Sequence, residues 1–124
     1  MPYRTIWEKE GVMWEFYGHV TAREIEEANE EFYRDPRSKT AKYQIVNALN
    51  TVELEWKPLD IVEMTLNDVA GSRANNHLKL AFLTNKNSIR EKVEKYVNIS
   101  RNLNSHWKFR GFESLDEARE WIEG

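Results

Sequence analysis

Several features that would assign a function at once are missing from the chain. It contains no cysteine, which excludes disulfides, thiolate metal sites and a cysteine nucleophile. No apolar run approaches the roughly 18 residues that a membrane-spanning helix needs. Residues 1–8 lack the apolar segment of a signal peptide, so we expect a cytoplasmic protein. A basic surplus is also missing: the net charge is −3, which argues against a nucleic-acid partner.

The composition that is present describes an ordinary globular protein. The length fits one domain, residues 1–124, with a core of normal size. Apolar residues make up 40% of the chain and charged residues 31%, as in typical soluble proteins. Five tryptophans are many for this length. They belong either to the core and its edges or to an apolar pocket or partner surface.

Alternating apolar residues predict five strands, at residues 3–9, 12–17, 42–49 and 78–84 and around Trp107 and Phe109. The first two form a hairpin around Glu10 and Gly11. The near-continuous apolar run of the fourth is typical of a central parallel strand. Residues 50–58 are expected to form a loop.

Helical periodicity predicts four helices, at about residues 21–34, 59–75, 88–104 and 114–123. Three of them start with the S/T-x-x-E spacing of a capping box, at Thr21/Glu24, Ser88/Glu91 and Ser114/Glu117. In the second helix, the side chains expected to face the core are Leu59, Val62, Leu66, Val69 and Ala70.

The order of elements is therefore β-β-α-β-α-β-α-β-α. Strands that alternate with helices indicate βαβ units, whose crossovers are right-handed almost without exception. We expect an α/β fold with a mixed five-stranded sheet, in which all strands after the hairpin are mutually parallel.

The hairpin residues 6–8 and 12–21, together with the closing segment FESLDEAREWI at residues 112–122, resemble the SpoIIAA-like, or STAS-like, family of small bacterial proteins. The resemblance covers nearly the whole chain and implies a (βα) superhelix that acts through protein contacts rather than as an enzyme. This branch is also similar to lipid-binding domains of the CRAL-TRIO (Sec14) type, which implies an apolar ligand as the alternative.

The resemblance also implies a phosphorylated serine at the start of the second helix, and here the chain departs from the family pattern. The Asp-Ser-Ser/Thr-Gly signature is missing, and Asn47 stands where its aspartate is expected. No serine lies between Ser38 and Ser72, and Thr51 is a poor substitute. We therefore expect a module without the serine phospho-switch.

A binding site in an open parallel sheet is expected outside the carboxyl ends of the strands, where helix N-termini attract anions. The residues predicted to form this ligand or partner rim are Asn47, Asn50, Thr51, Trp56, Thr84, Asn85 and Lys86. Residues 84–88 pair hydroxyl and amide donors with one cation, which fits either an anion site or an Asx-type turn that leads into the helix.

Other candidate chemistry is less specific. Glu53 and Glu55 could form a carboxylate pair for acid–base catalysis, or belong to a solvated loop. The three histidines, His19, His77 and His106, show no metal-ligand spacing, so we expect no metal. No catalytic motif and no cofactor motif is present.

These observations favour a non-enzymatic module of regulatory type that contacts a protein partner. An edge strand and an incompletely covered sheet face would favour a homodimer. The alternative is a carrier of a lipid or other apolar molecule. It requires a cavity on the order of several hundred Å3, lined by residues such as Trp14, Tyr43, Trp56, Phe82 and Trp107.

Overall fold

The computed structural model describes residues 3–72, 75, 78–103 and 107–124. Within these residues the strands are β1 (Tyr3–Trp7), β2 (Gly11–Thr21), β3 (Tyr43–Glu55), β4 (Lys79–Leu83) and β5 (Lys108–Phe112). The helices are α1 (Ala22–Arg34), α2 (Pro58–Ser72), α3 (Asn87–Asn102) and α4 (Leu115–Glu123), with a 3₁₀ turn at Pro36–Lys39. The element order is the predicted one.

The strands form one sheet in the order β1-β2-β3-β4-β5. The β1–β2 pair is antiparallel and all other pairs are parallel, which confirms the mixed sheet. Helices α1, α2 and α3 pack on one face, around a core that includes Trp14, Phe32 and Met64. Helix α4 covers the other face over Ile45 and Leu83.

Strands β2 and β3 are much longer than predicted, and the expected loop at residues 50–58 is wrong. β3 continues to Glu55 because its second half pairs in parallel with Tyr17–Thr21 of β2. In the described sheet, β1 pairs with β2 only as far as Phe16 and β4 pairs with β3 only as far as Asn47. The two long strands therefore extend past both neighbours as a parallel ribbon.

Two of the three predicted caps are confirmed. The Thr21 backbone N–H donates to Glu24 Oε1 over 2.9 Å, and the Glu24 N–H donates to Thr21 Oγ1 over 3.3 Å. Ser114 likewise accepts from the Glu117 N–H. The predicted cap at Ser88 is wrong, because α3 begins one residue earlier, with Lys86 as its N-cap.

The orientation of α2 is the largest departure from the prediction. Its buried side chains are Ile61, Met64, Thr65 and Asp68. The predicted core residues face outward instead: Leu59 is 67% exposed, Leu66 53% and Val62 38%, while Ala70 is exposed and Val69 half-buried. Two polar residues replace them inside because each has a hydrogen-bond partner. The Thr65 hydroxyl donates to the Ile61 carbonyl over 2.7 Å, and Asp68 accepts from two tyrosines of neighbouring helices.

One ion pair joins the two ends of the chain. Arg119 on α4 donates to both carboxylate oxygens of Glu8, which follows β1, over 3.0 and 2.8 Å. The Tyr43 hydroxyl donates to the same carboxylate. Arg119 is the first cause of the lowered pKa of Glu8, although partial burial opposes the change. The contact fixes α4 against the hairpin.

Candidate functional site

Three of the predicted rim residues, Asn47, Asn50 and Thr51, lie within β3, although residues 50 and 51 were expected in a loop. Trp56 directly follows the strand. Thr51 is fully buried and its hydroxyl donates to the Phe16 carbonyl over 3.1 Å, so this side chain cannot meet a ligand at the surface. Trp56 is only 9% exposed. Asn47 is half-buried and accepts from the Leu49 N–H, while Asn50 is exposed.

The rim residues that follow β4 form a turn. Thr84 is buried, and its hydroxyl accepts from the Lys86 N–H over 3.2 Å, which leads the chain into α3. Asn85 is exposed and Lys86 half-buried. Residues 50 and 51 lie on the ribbon beyond the last β3–β4 pair. Asn50 and Thr51 are therefore farther along the strand direction than the rim residues that follow β4. Ligand or partner binding by the rim stays a prediction.

The ribbon brings His19 next to Glu53 and Glu55, the two carboxylates that the sequence pattern paired. His19 is the cross-strand partner of Glu53, and its Nδ1 lies 3.4 Å from Glu53 Oε2 and 3.6 Å from Glu55 Oε1. All three are exposed, and in the described part of the chain no other such group could hold a metal ion. The arrangement is an imidazole–carboxylate ion pair whenever His19 is protonated. His77 and His106 lie outside the described residues.

A second polar group is buried where α1, α2 and α3 meet. Asp68 accepts from the hydroxyl of Tyr33 over 3.1 Å and from that of Tyr96. Burial raises the pKa of Asp68 to about 6, and the two hydrogen bonds only partly offset this increase. Burial beside the carboxyl group also raises the pKa of both tyrosines.

The tryptophans of β2 and β3 belong to the core. Trp14 and Trp56 line an internal cavity of about 40 Å3, together with Gln44 and Asp68. Such a space holds about one water molecule. Tyr43, also expected in the ligand pocket, packs on the opposite sheet face under α4. The cavity required for an apolar carrier is therefore not found around these residues.

A larger groove of about 560 Å3 runs between α3 and the edge strand β5. Its floor includes Leu80, Phe82 and Phe109, and its rim carries both arginines and glutamates. Arg90 on this rim pairs with Glu113 over 3.1 Å. The groove thus has an apolar base and a rim of mixed charge.

The outer surface of α2 carries the exposed apolar residues Leu59, Val62 and Leu66, which we call the α2 stripe. They are spaced at i, i+3 and i+7 and so lie along one line of the helix. A groove of about 260 Å3 separates α2 from α1 and is lined by the acidic residues Glu26, Glu30 and Asp68 together with Asn29, Tyr33, Met64 and Asn67.

Comparison with solved structures identifies the fold. The unphosphorylated anti-sigma factor antagonist SpoIIAA gives a TM-score of 0.62 at 13% sequence identity, with 98% of each chain covered. The phosphorylated Bacillus cell fate determinant SpoIIAA gives 0.61 at 12% identity, covering 97% of this chain and 98% of that one. An uncharacterized Shewanella loihica protein with a SpoIIAA-like fold gives 0.57 at 10% identity, covering 97% of this chain and 91% of that one.

The chain therefore has the SpoIIAA-like, or STAS-like, fold that the sequence pattern predicts. No protein-family model matches it, and no curated protein sequence does. Among the helices of the described ranges, none combines the length and apolar character that crossing a bilayer requires.

Proposed function

We propose that this protein is a non-enzymatic regulatory module that works through protein contacts and uses the α2 stripe as part of its contact surface. The observation that supports this most directly is the exposure of Leu59, Val62 and Leu66 on a well-packed helix. Covering the exposed part of the two leucines with a partner would contribute roughly 1–2 kcal/mol each. Helix α2 exposes these apolar residues although it buries the polar Asp68. Such an arrangement is consistent with a surface that binds a partner.

The fold adds support, because two of the similar structures are forms of SpoIIAA, one described as an anti-sigma factor antagonist and one as phosphorylated. A serine phospho-switch at the start of α2 has no acceptor here, since residues 39–71 contain no serine and Thr51 is buried. We therefore propose contact regulation that depends on the presence of a partner rather than on serine phosphorylation.

The carrier alternative predicts a large pocket lined by tryptophans, and the described structure does not place such a pocket around them. The α3–β5 groove has a sufficient volume, but Phe82 is the one predicted lining residue that it contains. The tryptophan-lined cavity of about 40 Å3 is far too small for a lipid. The α3–β5 groove opens along the sheet edge and has a rim that carries three arginines and three glutamates.

A photo-crosslinking amino acid placed at position 66 tests the proposal in cells of the source organism. We expect a discrete crosslinked protein from position 66 and none from Lys9, an exposed residue beside the β1–β2 turn. Identical crosslinking patterns from both positions would contradict the proposal. So would turnover of a small substrate that is lost when Asn47 or Asn85 is replaced.

A further inference from the structure

Negative charge is concentrated on the two helices that flank the 260 Å3 groove. Helix α2 contains Asp60 and Glu63 on its outer side and the buried Asp68, and no lysine or arginine. Helix α1 contains five glutamates, with Arg23 and Arg34 near its two ends. The basic residues of the helical layer lie mainly on α3, which carries two lysines and two arginines.

Part of this charge has no counter-charge within the described structure. Arg23 pairs with Glu27 over 3.7 Å, and Arg34 with Glu30 over 3.6 Å. Among the described residues no ion pair reaches Glu26, Asp60 or Glu63. Asp60 Oδ2 accepts a hydrogen bond from the Lys57 N–H over 2.9 Å at the start of α2. Partial burial raises the pKa of Glu26, and the neighbouring charges of Glu63, Asp60 and Glu30 raise it further. These carboxylates are therefore close enough to repel one another.

We infer that the surface formed by the α2 stripe with Glu26, Asp60 and Glu63 binds an amphipathic helix of a partner protein, one that presents lysine or arginine beside large apolar side chains. We call it the acidic–apolar surface. This inference rests on the proposed function and names its partner class. An apolar line beside unbalanced carboxylates is complementary to such a helix in both shape and charge.

The stripe is also of suitable length. Residues 59 to 66 span about 10 Å along the helix axis, so about three turns of a partner helix are enough to cover the line. Asn67 follows Leu66 and so lies roughly 100° around α2 from the stripe. Together with Asn29 it lines the groove between α1 and α2, where the two amide groups can meet polar side chains at the edge of the partner.

Other occupants fit less well. In a two-fold dimer that used this surface, the same carboxylates of both copies would face each other across the interface. Anionic membranes and nucleic acids would be repelled for the same reason.

The test uses the isotope-labelled full chain and two synthetic peptides of roughly 15 residues. One has a helical leucine–lysine pattern, and the other has glutamate at every lysine position. We expect the lysine peptide alone to shift the amide signals of α1 and α2 in NMR spectra. Its affinity should fall steeply as salt rises from about 0.05 M to about 0.5 M. The double variant Glu26→Gln/Glu63→Gln should bind it about tenfold less tightly.

Two single variants serve as controls. Leu66→Ser should weaken the lysine peptide without changing the charge, and this exposed position leaves the fold intact. Lys108→Gln on β5 removes one exposed charge from the opposite face of the sheet, because its neighbour Phe109 faces the helical layer, and should leave the affinity unchanged or slightly higher.

Two results would overturn the inference and leave the proposed function standing. One is equal binding of the glutamate peptide to α1 and α2, which would refute the charge argument. The other is sedimentation of the free protein as a dimer that Leu66→Ser dissociates, which would make a second copy the occupant. Binding of neither peptide to α1 and α2 would refute the surface itself. Peptide binding without a crosslinked protein at position 66 in cells would instead count against the proposed function.

Discussion

Replacement of Asp68 by asparagine tests how the interior of the helical layer is stabilised. The carboxyl group is 5% exposed and accepts hydrogen bonds from Tyr33 and Tyr96. Burial favours its neutral form, whereas the two hydrogen bonds favour the charged form. Burial is the larger of these effects, because the pKa rises from 3.8 to about 6.

The sign of the pH dependence follows from this shift. The folded state binds the proton more tightly than the unfolded state, so the Asp68 contribution to stability is complete below about pH 4 and falls as the pH rises through about 6. A displacement of about two pH units corresponds to about 3 kcal/mol. Asparagine is neutral at every pH. Its one oxygen accepts from one of the tyrosines and its NH2 group takes the place of the other carboxylate oxygen, so any lost hydrogen bond costs the same at every pH and the variant escapes the pH-dependent loss.

Urea unfolding of wild type and Asp68→Asn at about pH 4 and about pH 8 measures the effect. We expect the stability of the variant relative to wild type to increase by about 3 kcal/mol between the two values. Carboxylates such as Glu8, whose pKa Arg119 lowers, affect both proteins equally and cancel in the difference. Leu66→Ala, on the exposed side of the same helix, removes no titratable group and should show a difference that does not change with pH. If the Asp68→Asn difference were also constant, or fell with pH, the tyrosine hydrogen bonds would outweigh burial and the reasoning would fail.

Three further predictions concern stability and are checked by urea unfolding. A double-mutant cycle on Glu8→Gln and Arg119→Met should give a coupling of about 1 kcal/mol, since the bidentate pair is only partly exposed; additive single effects would refute it. Met64→Ala should lower the free energy of unfolding by about 2–5 kcal/mol and Leu66→Ala by less than about 1 kcal/mol, because of these two residues only Met64 is buried. If Leu66→Ala were the more destabilising change, α2 would have to be rotated about its axis. Gly71→Ala should lower the free energy of unfolding by about 1–3 kcal/mol, because a Cβ would lie 2.6 Å from the Tyr33 ring. An unchanged midpoint of urea unfolding would show that the ring moves away freely.

The sequence by itself determined the order of elements, the opening hairpin and the cap residues Thr21 and Ser114. These features depend on residues within a few positions of one another, so local spacing is sufficient to predict them. The resemblance to SpoIIAA-like proteins rested on the same local patterns, and the structural comparisons confirm it at the level of the fold. Thr84 and Asn85 likewise follow β4, where the periodicity placed them.

Only the tertiary structure decided which features form the candidate surface. β3 extends through residue 55 because β2 pairs with it, and this pairing alone brings His19 to Glu53. Helix α2 turns its leucines outward because Asp68 finds Tyr33 and Tyr96, which lie 35 and 28 residues away along the chain. Hydrophobic periodicity ranks residues by their own polarity, whereas the cost of burying a polar group depends on a partner that only the folded chain provides.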